Sequence, residues 1–344
     1  MIAITPVVLS VALSAVVCAA TILALFPLMR RYALARPNAR SSHRVPTPQG
    51  GGIAVVLATL ATGAGALWLG GAGEGAYGVF GAVAAATALL AAVGAVDDIR
   101  PLPVLPRLAL QGVGVALVVV AATNTGRVLP HEVPLGLEIA LATLAGLWFV
   151  NLTNFMDGLD RLTVAATVPL AATIAALGLG GVVGPLETAL AAALLGAMLG
   201  FSLFNTPAAR LFLGDVGSLP IGLLVAFLLY CVAASGHLVA AILLPLYSCT
   251  DATLTLARRG LRGEAVWQAH RSHFYQRATD SGLAPLEVSG TIFVANAALA
   301  ALALTAVALE GVLGDLLVLA AGAAVVAGVL VRFSRGRAPA RSAR

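Results

Sequence analysis

Apolar residues occupy the chain in runs of about twenty, punctuated by short clusters of Arg, Asp, Pro and Gly. A helix rising 1.5 Å per residue needs about 20 residues to cross roughly 30 Å of hydrocarbon, so each run predicts a membrane-spanning helix. Eleven runs meet this description, at approximately 2–26, 51–71, 76–96, 108–123, 135–152, 163–180, 185–204, 218–235, 237–257, 286–309 and 312–332. The run at 108–123 is short, and two runs nearly fuse around Gly180 to Gly184. The predicted fold is an all-α integral membrane protein, one polytopic domain over residues 1–344. The first run has no basic residues before it and Arg30 and Arg31 after it, the pattern of a retained anchor rather than a cleaved leader.

The polar punctuation sets an orientation. With the N-terminus outside, 19 of the 20 basic residues fall in loops on the cytoplasmic side, and only Arg127 does not. Those loops are 27–50, 97–107, 153–162, 205–217 and 258–285, and the C-terminus follows them into the cytoplasm as a basic tail, 333–344. Seven of the eight aspartates gather in or beside the same loops, a bias that topology does not require. Composition agrees with the class: 60% hydrophobic and 10% charged residues, against roughly a quarter charged in a soluble domain.

The net charge of +5 is carried entirely by arginine, because the chain contains no lysine. That excludes a Walker A phosphate loop, a Schiff-base enzyme and a standard kinase site. Anion chemistry must then use Arg, backbone N–H groups or a metal. Cys18, Cys231 and Cys249 lie within apolar runs at no metal-ligand spacing and read as core thiols. Small-residue stretches such as Gly63 to Gly70 suit close helix packing, and no chemistry is assigned to them.

Four constellations fall on the aspartate-rich side. Asp97-Asp98 ends the third run, with Arg100, Pro101, Pro103 and Pro106 behind it and Arg107 opening the next. Two carboxylates at a helix C-terminus oppose the macrodipole and call for something cationic, unless they simply mark a solvated helix end. Asn151, Asn154, Asp157 and Asp160 follow at intervals of three, with Gly158 among them. The two amides are placed on the last turn of a span and the two aspartates around a loop, since amides at membrane depth need partners. Phe212-Leu-Gly214-Asp215-Val-Gly217-Ser218-Leu-Pro220 reads as a turn opening a helix at Ser218, whose free N–H groups favour a phosphate, or as a plain capped turn. The segment His270-Arg271-Ser272-His273-Phe-Tyr275-Gln276-Arg277 can bind phosphates and stack a base, or lie on a surface helix. Asp251, two turns inside the ninth run, needs a partner, and Arg258 or Arg259 could reach it.

Together these residues resemble the polyprenyl-phosphate N-acetylhexosamine-1-phosphate transferases. RPNARSSHRVPTPQGGG, the Asp97-Asp98 pair with a basic residue at 107, NLTNFMDGLD, FLGDVGS and HRSHFYQR occur in that family's order over nearly the whole chain. The HRSHFYQR form is similar to the O-antigen and N-acetylaminosugar starter branch, where the peptidoglycan branch would show a histidine run. Arg107 stands where many members have lysine, and Arg161 replaces the glycine usual in DGxDG.

The resemblance implies transfer of an N-acetylated sugar-1-phosphate from a UDP-sugar to undecaprenyl phosphate, releasing UMP and initiating O-antigen or related cell-envelope glycan synthesis. The expected setting is the bacterial inner membrane, with the site on its cytoplasmic face. The alternatives are a peptidoglycan-type phospho-MurNAc-pentapeptide transferase and, in a different class, a secondary transporter, whose sites usually sit near the bilayer midplane. Carried over residue by residue, Asp97 and Asp98 are the catalytic candidates and Asn154 and Asp215 the ligands of Mg²⁺ or Mn²⁺. Arg107, Asn151, Asp157, Asp160, Gly214, His270, Arg271 and His273 are the candidate contacts to nucleotide-sugar and phosphate. The expected partners are the two substrates and the bilayer, without nucleic acid. A homodimer is compatible with this sequence.

Overall fold

The computed structural model describes residues 4–35, 46–265, 270–309 and 311–335. The RPNARSSHRV segment at 36–45 and the tail beyond Arg335 lie outside the described residues, as do residues 266–269. The chain is helical almost throughout. Helices α1 (Ile4–Tyr32), α2 (Gly51–Leu69), α3 (Glu74–Ile99), α4 (Val104–Thr123) and α5 (Leu135–Phe155) form the first half. They are followed by α6 (Leu162–Leu179), α7 (Pro185–Ser202), α8 (Asp215–Ala234), α9 (Leu238–Leu243) and α10 (Leu246–Leu261). The short α11 (Phe274–Asp280), α12 (Pro285–Ala308) and α13 (Val312–Arg335) complete the bundle. A two-residue antiparallel pairing, β1 (Leu34–Ala35) with β2 (Thr47–Pro48), is the only sheet among the described residues.

Ten of these helices are long and apolar enough to cross a membrane. The ninth expected span, 237–257, is broken: Pro245, with no N–H to give, separates α9 from α10, and neither half alone meets that length. The short fourth run is a full 20-residue helix, and the run that nearly fused at Gly180 divides cleanly into α6 and α7.

The two most buried helices organise the rest. α7 is enclosed by α1, α2 and α6, while α8 is enclosed by α2, α3, α4, α5 and α9. Lipid gives packed helices no hydrophobic drive toward one another, so close approach must be supplied by shape. On α7, Gly196 and Gly200 lie four apart, and a Cβ on either would overlap the carbonyl oxygens of Val11 and Ala15 on α1. Ser14 donates from α1 to the Ala193 carbonyl at 2.6 Å. On α3, Gly94 meets the backbone of Asp215 and Val216 at the start of α8; on α2, Gly52 meets Gly217. These contacts bring the polar ends of α2, α3 and α8 to one place.

A candidate active site at the polar end of the bundle

The expected helix start at Ser218 moves upstream. α8 begins at Asp215, with Gly214 at φ +78° before it, and Ser218 and Pro220 lie inside the helix. The first free N–H groups, on Asp215 and Val216, donate to the Asp98 carboxylate at 3.0 and 3.1 Å. Asp98 is therefore compensated by the positive end of another helix rather than by a cation, which offsets its poor position at the C-terminal end of α3. This also occupies the amides that the sequence offered to a phosphate. Gly214 is needed for that approach twice over: its φ is left-handed, and a Cβ would stand 2.6 Å from Asp98 Oδ2.

Asp97 faces a different set of donors. Its Oδ1 accepts from Leu102 N at 2.6 Å, and its Oδ2 from Arg107 Nη1 at 2.7 Å. Arg107 is thus the cation that the carboxylate pair required, and its Nε remains without a hydrogen-bond partner. The Asp97 and Asp215 carboxyl groups are also close enough to influence each other. On the other side, Asn154 Nδ2 donates to Asp215 Oδ1 at 2.7 Å and to Ser218 Oγ at 2.9 Å. α5 ends at Phe155, so Asn151 and Asn154 lie on its last turns and Asp157 and Asp160 in the following turn, as their spacing suggested.

The remaining candidates separate. Asn151 is buried and donates to Gln111 Oε1 of α4 at 2.8 Å, a tie between α4 and α5 rather than a group open to the centre. Asp157 accepts from Thr163 Oγ1 at 2.5 Å. Burial, with the Asp215, Asp98 and Asp160 carboxylates adding to it and Thr163 opposing it, pushes the Asp157 carboxyl up to about 8. Asp160 is buried and holds Ala209 N at 3.0 Å, fixing the loop between α7 and α8. Arg161 adopts φ +61° and gives its N–H to Asn205 Oδ1 at 2.6 Å.

The His270 to Arg277 segment forms the start of α11 and packs onto the same turn. Tyr275 Oη donates to the Phe155 carbonyl at 2.9 Å, and a Cβ at Gly158 would overlap that hydroxyl. Arg271 pairs with Asp280 at 2.9 Å. Burial, aided by neighbouring His273 and Arg259, pushes His270 down to about 4, so it is neutral near pH 7. His273 is 2% exposed, with Nδ1 3.2 Å from Asp251 Oδ1. That contact corrects the expected partner of Asp251, because Arg258 lies over the Phe274 ring and Arg259 pairs with Glu264. It also leaves His273 as an interior residue in this conformation, where a phosphate contact was expected.

Sequence reasoning missed several contributors. Gln49 Nε2 donates to the Asp98 carbonyl at 3.3 Å, and the chain from Pro48 to Gly52 pairs with Phe212 and Leu213, so the PTPQGGG segment frames the α8 start. Gln111, Asn205 and the Tyr275–Phe155 contact carried no signal in spacing, because each depends on a partner more than 35 positions away or on loop geometry.

Among the described residues no three His, Cys, Asp or Glu side chains are arranged to hold a metal ion. The donors present nevertheless fit a hard divalent cation. Asp215 offers carboxylate oxygen, and Asn154, whose Nδ2 now faces Asp215 Oδ1, would offer its amide oxygen to an ion once the amide turned over. Mg²⁺ characteristically takes one or two carboxylates and completes its shell with substrate phosphates and water.

Residues 80–233, which contain Asp97 through Asp215, match the model of glycosyl transferase family 4. A Bacillus subtilis (strain 168) relative named probable undecaprenyl-phosphate N-acetylglucosaminyl 1-phosphate transferase is 32% identical over 148 residues, 41% of either chain. Phospho-N-acetylmuramoyl-pentapeptide-transferases are similar too. That of Moorella thermoacetica is 39% identical over 142 residues, 38% of this chain and 44% of its own, and that of Heliobacterium modesticaldum 42% over 88 residues, 26% and 27%. The chain thus spans less than half the length of these relatives. Residues 80–233, whose carboxylate and amide motifs are gathered at one end of the bundle, are thus similar to glycosyl transferase family 4.

Proposed function

We propose that the protein transfers an N-acetylated sugar-1-phosphate from a UDP-sugar to undecaprenyl phosphate, giving undecaprenyl-diphosphate-sugar and UMP, and that it initiates O-antigen or a related envelope glycan. The observation that carries this reading is the convergence of Asp97, Asp98, Arg107, Asn154 and Asp215 at one end of the helix bundle. A transporter site would instead lie near the bilayer midplane. The relatives' names cover both the N-acetylglucosaminyl and the pentapeptide branches; the HRSHFYQR segment favours the first.

In the reaction an oxygen of the lipid phosphate attacks the β-phosphorus of the donor, the bond from that phosphorus to the bridging oxygen breaks, and UMP leaves with the electron pair. One phosphoanhydride replaces another, so the residues have mainly to position the groups and offset their charge. Mg²⁺ or Mn²⁺, held by Asp215 and Asn154, would supply charge neutralisation at the phosphate oxygens. Arg107 offers its remaining N–H groups to the anions. Asp97, bonded to Arg107 and Leu102 N, orients that guanidinium; a lipid phosphate, with a second pKa of about 6 by analogy with phosphoserine, needs little help to lose its proton. Asp98 fixes the α8 start so that Asp215 faces Asn154.

The test is incubation of purified protein with undecaprenyl phosphate, Mg²⁺ and a panel of UDP-N-acetyl sugars, with UMP and lipid product measured. One donor should give both. Folded protein that yields neither from any donor refutes the reading. Asp215→Asn should lower activity by about 100-fold or more and weaken its dependence on Mg²⁺; an unchanged titration removes Asp215 from the metal site.

A further inference from the structure

The ninth span carries a side chain that the transferase chemistry leaves unused. Asp251 on α10 is 0% exposed, and an isolated charge there would be costly. It is not isolated. Its Oδ1 faces Phe274 N at 3.0 Å, His273 Nδ1 at 3.2 Å and Thr255 Oγ1 at 3.3 Å; its Oδ2 accepts from Tyr247 Oη at 3.0 Å and Tyr275 N at 3.3 Å. Five polar groups thus surround its two carboxyl oxygens. Three of these donors, His273 Nδ1 and the amides of Phe274 and Tyr275, belong to one segment, so the carboxylate holds the start of α11.

That hold extends to the candidate metal pair. Tyr275, fixed at its amide by Asp251, reaches with its hydroxyl to the carbonyl of Phe155, the residue after Asn154. Gly158, lacking a Cβ, makes room for the phenol. Three residues thus join the buried side of α10 to the α5 end: Asp251, Tyr275 and Phe155. The stacked rings of His273 and Tyr275, with centroids 5.7 Å apart, stiffen the middle of this chain.

We infer that Asp251 is a positioning residue for the transfer reaction, holding α11 against the Asn154–Gly158 turn and thereby setting the geometry of Asn154 and Asp215. The inference rests on the transferase reading for its effect on rate, but the mechanical relay can be measured without turnover. An amide at 251 keeps the size of the side chain while turning an NH₂ group toward two or three of the five donors.

Two variants of the full chain separate the relay from general damage. In Asp251→Asn, hydrogen exchange should quicken at the amides of 274 and 275 and also at Met156 and Asp157, whose N–H groups bond Leu152 and Asn154. In Tyr275→Phe it should quicken at 156 and 157 alone. With undecaprenyl phosphate and UDP-N-acetylglucosamine or the donor found active, both variants should raise the half-saturating Mg²⁺ concentration at least 3-fold, and Asp251→Asn should lower kcat/KM at least 30-fold. Partial misfolding would reduce kcat alone and leave the Mg²⁺ titration in place. The double variant should match Asp251→Asn, because both substitutions cut one chain of contacts. Exchange at 156 and 157 unchanged in Tyr275→Phe, an unmoved Mg²⁺ titration in either variant, or effects that simply multiply would each overturn the inference. If Asp251→Asn does not fold, the exchange and Mg²⁺ results for Tyr275→Phe decide it. A wild-type protein without transfer activity refutes the transferase reading, and the exchange measurements then decide the relay by themselves.

Discussion

Arg161 sits where the resembled family has glycine, and the backbone supplies a reason for that glycine. Its φ of +61° lies in the left-handed region, which costs an L-residue with a Cβ about 1 kcal/mol or more. The conformation is fixed by the bond from its N–H to Asn205 and by the turn that aims Asp157 and Asp160 in different directions. Arg161→Gly should retain both contacts, release the strain and lose part of the gain to the greater freedom of an unfolded glycine, a net stabilisation of about 0.5 kcal/mol. A small rise in the thermal midpoint of detergent-solubilised protein is the expected result. A fall would mean that contacts of the Arg161 side chain outweigh the backbone strain. The substitution was visible in the sequence; its physical meaning was not, because a dihedral angle is set by the turn around it and not by the residue alone.

Among the helices, the decisive feature is how closely α3 approaches α8. Gly94 on α3 faces the backbone of Asp215 and Val216, and a methyl group there would overlap main-chain atoms that cannot rotate away. Gly81 on the same helix has nothing within 4 Å of its would-be Cβ. Gly94→Ala should therefore push the helices apart, break the Asp98 bonds to the α8 amides, destabilise the protein by about 1–3 kcal/mol and lower transfer activity at least 10-fold. Gly81→Ala should leave both unchanged. Comparing the midpoints and UMP release of the two variants is the check, and equal behaviour would show that the α3–α8 contact yields without consequence. The sequence disclosed where these helices lie and which polar residues end them, since length and charge suffice for that. It did not disclose their pairing. A helix that is apolar all round has no polar face to mark its lipid side, so the Gly94 contact, the compensation of Asp98 by α8 and the meeting of Asp251 with His273 all had to come from the packed structure. The break at Pro245 lies between these cases: the proline was in view, but its effect inside a continuous apolar run could not be told from a tolerated kink.

At the scale of the whole molecule, the helices alternate in direction, and this gathers the chemistry. Counting α9 and α10 as one crossing, the ends that carry Arg30, Asp97, Arg107, Asn154, Asp215, Arg258 and Arg332 all fall on one side of the bundle. The opposite side holds the turns after α2, α4, α6, α8 and α12. Among the described residues Arg127 is the single arginine there, and it is neutralised in place: its Nε meets Glu138 Oε2 at 2.7 Å and its Nη2 the Val133 carbonyl at 2.6 Å. A paired arginine adds no net positive charge to its side, so the one exception to the charge asymmetry weakens it very little. Orientation follows such asymmetry across short loops, which predicts the motif-bearing side in the cytoplasm and the Arg127 side outside. Exposed positions are available on both sides, His131 in the loop after α4 and Arg262 at the end of α10. In a background with Cys18, Cys231 and Cys249 replaced, His131→Cys should react with a membrane-impermeant maleimide in right-side-out vesicles, and Arg262→Cys only in inverted ones. The reverse pattern would place the carboxylate centre outside. A UDP-sugar made in the cytoplasm could then not reach it, so this labelling tests the topology and the proposed donor together.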